Sequence, residues 1–107
     1  MQRKAMVIRV RPEKIGEYKA LHAKPFPGVL AALRKANVSN YSIFLKDDVL
    51  FGYLEYSGTD WEADMAKVAA DPETQRWWSL TDPCQTSWPT AQEGEWWSAM
   101  EPVFLME

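Results

Sequence analysis

Histidine and cysteine are almost missing from this chain: its 107 residues include one of each, His22 and Cys84. A single cysteine excludes an internal disulfide, and one cysteine with one histidine cannot supply the ligands of an ordinary zinc site. Positive charge is also short. The net charge is −3, so no basic stripe is available to neutralise nucleic-acid phosphates or an anionic membrane surface. No run approaches the ~20 apolar residues that cross a bilayer, and the N-terminus carries charges but no apolar stretch of signal-peptide length. No glycine-rich phosphate loop is present, which removes the usual mark of a nucleotide cofactor. These absences predict a cytoplasmic protein with no metal, no nucleic-acid partner and no membrane partner. The length suits one domain, residues 1–107.

Tryptophan is the surplus, at Trp61, Trp77, Trp78, Trp88, Trp96 and Trp97. Two adjacent pairs in so short a chain exceed what a core needs. Beside them stands the lone imidazole, the side chain whose unperturbed pKa lies nearest neutrality. His22 falls one helical turn after Tyr18, on one helix face with it, and Ile15 further back on that stripe turns the face inward. Two readings are open for the pair: an acid–base site, or a core histidine satisfied by a hydroxyl or a backbone carbonyl.

Alternation of Met6, Ile8 and Val10 against Val7 and Arg9 predicts a first strand over Lys4–Arg11. Pro12-Glu13 then opens a helix, since proline suits the first helical position and an acid the first turn. Pro25 and Pro27 break it just after His22, and a short second helix follows with Leu30, Leu33 and Ala36 on one face. Asn40–Lys46 and Val49–Tyr56 read as a hairpin around Asp47-Asp48. Both arms are apolar on both faces, which predicts a sheet covered twice, and for so small a chain the simplest second cover is another copy of itself. Thr59-Asp60-Trp61-Glu62 fits a capping box opening a helix that buries Trp61, Met65, Val68 and Ala69. Asp71-Pro72-Glu73 starts the helix carrying Trp77 and Trp78. A polar loop from Asp82 to about Ser98 and a last strand over Met100–Met106 complete a β-α-β-β-α-β order with one extra helix. That is an α+β, ferredoxin-like antiparallel sheet, a fold that carries almost no functional information by itself.

Lys4-Ala5, Glu17-Tyr18 with His22, Pro25-Phe26-Pro27, Asn40-Tyr41-Ser42-Ile43, Gln75-Arg76-Trp77-Trp78, Thr81-Asp82 and Glu101-Pro102-Val103-Phe104-Leu105 follow one another in an order that resembles the L-rhamnose mutarotase family. The resemblance covers essentially the whole chain. It implies a dimeric α+β barrel, a homodimer, and a cofactor-free isomerase that interconverts the α and β anomers of a 6-deoxyhexose pyranose such as L-rhamnose. The family's catalytic histidine, a proton donor, falls on His22, and its substrate-binding residues fall on Tyr18, Tyr41, Trp77 and Trp78. The chain departs from the family at Phe26, where a tryptophan is usual, and at Gly28, where the family has glutamate.

Those residue types suit the reaction. Each step of mutarotation moves a proton to or from oxygen, work for which imidazole is suited and phenol and indole are not. Aromatic planes stack on the C–H faces of a sugar while an indole N–H or a phenol bonds its hydroxyls. Tyr18 could instead only orient His22, Tyr41 could be core, and adjacent Trp77 and Trp78 cannot both face one way. Trp96 and Trp97 are expected to cover core or a dimer interface. Two rival classes stay open: a small α+β barrel monooxygenase, haem-degrading or cofactor-free, and a non-catalytic sugar-binding protein.

Overall fold

In the computed structural model, which describes residues 1–107, the alternating apolar segments pair as one curled antiparallel sheet. Strand β1 (Gln2–Val10) lies beside β3 (Val49–Tyr56), and β3 beside β2 (Val38–Lys46). The hairpin turns at Asp47, held in the left-handed region at φ 56°, as a tight hairpin requires and aspartate tolerates. A register shift between Ser39 and Ser42, with Asn40 also left-handed, bulges β2 and bends the sheet.

The other edge of β1 is shared. β4 (Gln85–Thr86) pairs with Arg9 and Val10, and β5 (Ser98–Met100) pairs with Ala5 to Val7. The expected last strand over Met100–Met106 is therefore corrected to two fragments separated by a loop. Beyond Met100 the ladder stops at Pro102, which has no amide proton to donate, and residues 101–107 are exposed and unpaired.

The four helices are α1 (Ile15–Ala23), α2 (Pro27–Lys35), α3 (Trp61–Ala70) and α4 (Pro72–Thr81). Pro12-Glu13, expected to open the first helix, instead form with Lys14 a single 3-10 turn ahead of α1, whereas Pro27 and Pro72 do stand at the first turns of α2 and α4. The cap of α3 is Asp60 rather than Thr59: its carboxylate accepts from the Ala63 amide at 3.1 Å. Asp71 caps α4 by accepting from the Thr74 amide and hydroxyl at 2.8 and 2.9 Å. On α2 the inward face is Val29, Leu33 and Ala36, while Leu30 is exposed. On α3, Asp64 is buried and Ala69 exposed, because a polar partner waits for that carboxylate.

Side chains directly opposite in an antiparallel pair share a face, so Met6, Ile8 and Val10 stand with Leu50, Leu54 and Tyr56 under the helices. They form two buried clusters. One joins Ile8, Val10 and Leu50 to Tyr18, Cys84, Ile15, Ile43 and Trp97; the other joins Leu54, Tyr56 and Val38 to Leu33, Trp61 and Met65. The opposite face carries Val7, Phe44, Phe51, Tyr53 and Met100, with Phe44 66% exposed. Within one chain the sheet is thus covered once, not twice, and forms half a barrel. No helix is long and apolar enough to cross a membrane.

Candidate active site

The site begins on α1. Tyr18 and His22 lie one turn apart with ring centroids 4.2 Å apart. His22 Nδ1 is 2.8 Å from the Tyr18 carbonyl oxygen. A carbonyl only accepts, so Nδ1 carries a proton and Nε2 is the nitrogen left for another partner. Trp77 of α4 meets the imidazole edge-on at 5.1 Å, and Phe26, in the bend between α1 and α2, meets Trp77 in the same way at 5.1 Å. The Arg76 guanidinium lies over the Phe26 ring, 5.1 Å from its centre. The proline bend therefore delivers an aromatic brace that holds Trp77 against His22.

The Tyr18 hydroxyl is buried and is reached from the far end of the chain. Gln85 Nε2 donates to it at 3.2 Å, and Trp96 Nε1 donates to Gln85 Oε1 at 3.2 Å. Burial is the main force holding the Tyr18 phenol well above its ordinary pKa; nearby Tyr41 and Cys84 add to this, and the Gln85 hydrogen bond opposes it. Tyr41 is 38% exposed, but its hydroxyl end is desolvated, which pushes that phenol up to about 12. Both phenols are thus kept protonated. Cys84 Sγ donates to Glu17 Oε2 at 3.1 Å, and burial first, then that carboxylate, push the thiol up to about 11. It is a structural thiol, not a nucleophile.

Of the residues singled out from sequence, Tyr18, His22 and Trp77 come together, and Tyr41 is near enough to help raise the Tyr18 phenol above its ordinary pKa. The tryptophan pair divides. Trp77 is 7% exposed and braces the imidazole, whereas Trp78 is 39% exposed at the helix surface beside it. Trp97 packs on the core cluster as expected, above Gly52, where an added Cβ would sit 3.0 Å from Met6 and 3.4 Å from Trp97. Trp96 is not merely cover, since its indole is hydrogen-bonded into the Tyr18 chain.

Sequence reasoning missed Gln85, which lies in a stretch of mixed polar residues without periodicity. The Gly28 departure has a structural counterpart. The space a side chain at 28 would enter holds the Glu73 carboxylate, which also pairs with Arg76 at 3.3 Å. The first turn of α2 has no acid of its own, so Glu73 supplies negative charge at that helix start from α4. No three His, Cys, Asp or Glu side chains converge as a metal site.

Comparison with known proteins places this geometry in context. A family model described as L-rhamnose mutarotase matches residues 3–106. The L-rhamnose mutarotase of Oceanobacillus iheyensis is 36% identical over 85 residues, 78% of this chain and 79% of that protein. That of Pectobacterium carotovorum is 34% identical over 110 residues, spanning both chains completely. Among solved structures, the L-rhamnose mutarotase of Formosa agariphila superposes with a TM-score of 0.78 at 24% identity over all of both chains. Tetracenomycin F2 cyclase of Streptomyces glaucescens, a polyketide cyclase, superposes with a TM-score of 0.72 at 15% identity, over 100% of this chain and 98% of that one. Two such different chemistries on one α+β fold show that the architecture does not select the reaction.

Proposed function

The chain belongs to the L-rhamnose mutarotase family of isomerases, and on that premise we propose that it exchanges the α and β anomers of L-rhamnose with His22 as the proton-moving group. The supporting observation is the 2.8 Å contact from His22 Nδ1 to the Tyr18 carbonyl. With Nδ1 so occupied, Nε2 is the mobile position: it takes the anomeric hydroxyl proton when neutral and donates one when charged.

In this reading the anomeric O–H bond breaks toward a base as the bond from C1 to the ring oxygen breaks. The ring oxygen gains a proton, giving the open aldehyde. Rotation about C1–C2 presents the other carbonyl face, and the same transfers in reverse close the ring. Protons are returned, and no electrons leave the sugar. Tyr18 and Tyr41, kept protonated by burial, are the donors to sugar oxygens. Trp77 holds the imidazole, and Trp78 offers a half-exposed indole face for stacking. The haem-enzyme and silent-subunit readings are not favoured, because whole-chain relatives share the mutarotase name.

A second copy of the chain is the proposed cover for the open sheet face. Phe44, Phe51 and Met100 on that face, with Val103, Phe104 and Leu105 in the unpaired tail, are exposed apolar groups in one chain, of the kind that mark an interaction surface. Light scattering should give a dimer at micromolar concentration; a monomer there contradicts the barrel. Saturation-transfer NMR on L-rhamnose should show anomer exchange faster than the spontaneous rate, and its absence in the wild-type chain overturns the functional reading.

A further inference from the structure

Gln85 sits in the two-residue strand β4, fully inside the molecule, and its amide links two aromatic side chains that come from different parts of the chain. The direction of each hydrogen bond in this link follows from chemistry. An indole N–H only donates, so the atom of Gln85 facing Trp96 is the carbonyl oxygen. The other end of the amide is then the NH₂ group, which only donates, so the Tyr18 hydroxyl oxygen is the acceptor. A phenol has one proton, and this arrangement leaves it uncommitted. A glutamate at this position would accept from both neighbours and draw the phenol proton toward itself.

We propose that Gln85, oriented by Trp96, is a positioning residue that keeps Tyr18 a hydrogen-bond donor toward the sugar. The proposal rests on the mutarotase reading of the site. It gives the two groups of α1 opposite polarity: neutral His22 presents a bare Nε2 that accepts, while Tyr18 presents an O–H that donates. Ring opening needs that combination, because one sugar oxygen loses a proton while another gains negative charge. Neither His22 nor Tyr18 sets this polarity alone. The carbonyl of residue 18 sets the imidazole, and a side chain 67 residues further along sets the phenol.

The test compares the wild-type chain with Gln85→Glu, Tyr18→Phe and the double variant, measuring kcat and KM for L-rhamnose anomer exchange by NMR. Gln85→Glu keeps the size of the side chain and reverses the polarity of the link. It should lower kcat about tenfold, equivalent to losing one well-placed hydrogen bond, with KM within about twofold of wild type. In the Tyr18→Phe background the same change should have no further effect, since the hydroxyl through which it acts is gone. Gln85→Leu, also alone and with Tyr18→Phe, repeats the comparison should the glutamate variant not fold; its single-variant loss should be smaller, because it frees the phenol proton rather than capturing it. Trp96→Phe, which unpins the amide, should fall between wild type and Gln85→Glu.

A Gln85→Glu chain with wild-type kcat, or one that loses the same factor with and without the Tyr18 hydroxyl, overturns the proposal. Failure of the underlying reading looks different. Wild-type protein without exchange refutes the mutarotase reading, and Tyr18→Phe with full exchange refutes both the tyrosine's role and the positioning role built on it.

Discussion

Two tyrosines lie buried on the helix-covered side of the sheet, and they differ in what the protein asks of their hydroxyls. Tyr56 donates to Asp64 Oδ2 at 2.5 Å and accepts from the Asp60 amide at 3.1 Å. Asp64 in turn accepts from Asn37 Nδ2 at 3.1 Å and lies 3.6 Å from Lys67. Both capacities of that phenol are filled by protein, and the network ties the end of β3 to the first turns of α3. Tyr18 accepts from Gln85, and its proton has no protein acceptor. Its neighbour His22 likewise has one nitrogen bonded and one open. A saturated tyrosine stabilises a fold; an unsaturated one beside an unsaturated imidazole is equipped to meet a ligand. The same residue type, on one sheet face, separates structure from chemistry by hydrogen-bond inventory alone.

The largest expected effect breaks the open end. His22→Ala should lower anomer exchange by about 10²–10⁴-fold while circular dichroism and the light-scattering mass stay unchanged, since Tyr18 and Trp77 hold their own positions. Wild-type exchange in that variant would remove the acid–base assignment.

Next comes the tryptophan pair, which tests the division within the open end. Trp77→Ala should cost about 3–5 kcal/mol in denaturant unfolding, as for a large side chain cut from a core, and should also impair exchange by releasing the imidazole. Trp78→Ala should cost about 1 kcal/mol or less and instead weaken the change in tryptophan fluorescence on adding L-rhamnose. Equal stability losses would mean that the two indoles are not divided between brace and platform.

A matched pair of deletions then contrasts the two tyrosines directly. Tyr56→Phe should lower the thermal midpoint by about 4–8 °C, because Asp64 and the Asp60 amide lose a partner, while exchange per folded molecule persists. Tyr18→Phe should show the reverse, with loss of exchange and a smaller thermal change. If both variants behave alike, hydrogen-bond saturation does not separate the regions.

The smallest expected effect is acid sensitivity of the closed end. Hydrogen bonds from Tyr56 first and Asn37 second hold the Asp64 carboxyl below its ordinary pKa, with Lys67 assisting and burial opposing. A carboxyl depressed in the folded state stabilises it above the unfolded value, ~3.9 for aspartate, and that contribution is lost as pH falls through the lower folded value. Thermal scans should therefore show stability declining below about pH 4, with a shallower decline in Asp64→Asn. Parallel declines in the two proteins would assign the acid loss elsewhere.

Much of this is legible in the sequence. Proline marks the start of α2, proline with flanking acids that of α4, alternation marks β1 and the hairpin, and Tyr18 and His22 at helical spacing announce a shared face. Legibility fails where partners are distant or pattern is absent. The last strand is not legible, because a glycine- and tryptophan-containing loop separates its two fragments and Ser98–Met100 has too few residues to show alternation. Glu95 holds that loop, accepting from the Gln92 and Ala99 amides at 3.1 and 3.3 Å, a closure no local periodicity reveals. The cap at Asp60 rather than Thr59 is a one-residue ambiguity between two good capping types.

By itself the sequence determined the order of elements as far as α4, the single imidazole and the family, because local propensity and matched motifs are written along the chain. It could not determine which of Trp77 and Trp78 faces His22. Helical geometry separates neighbours by about 100° but does not say which direction is inward until another element packs there. Nor could it determine that the buried Tyr18 hydroxyl accepts a hydrogen bond and keeps its own proton uncommitted. That property belongs to a link running from Trp96 through Gln85 to Tyr18, and hydrogen bonds between residues so far apart in the chain exist only once the sheet has brought β4 beside the end of β1.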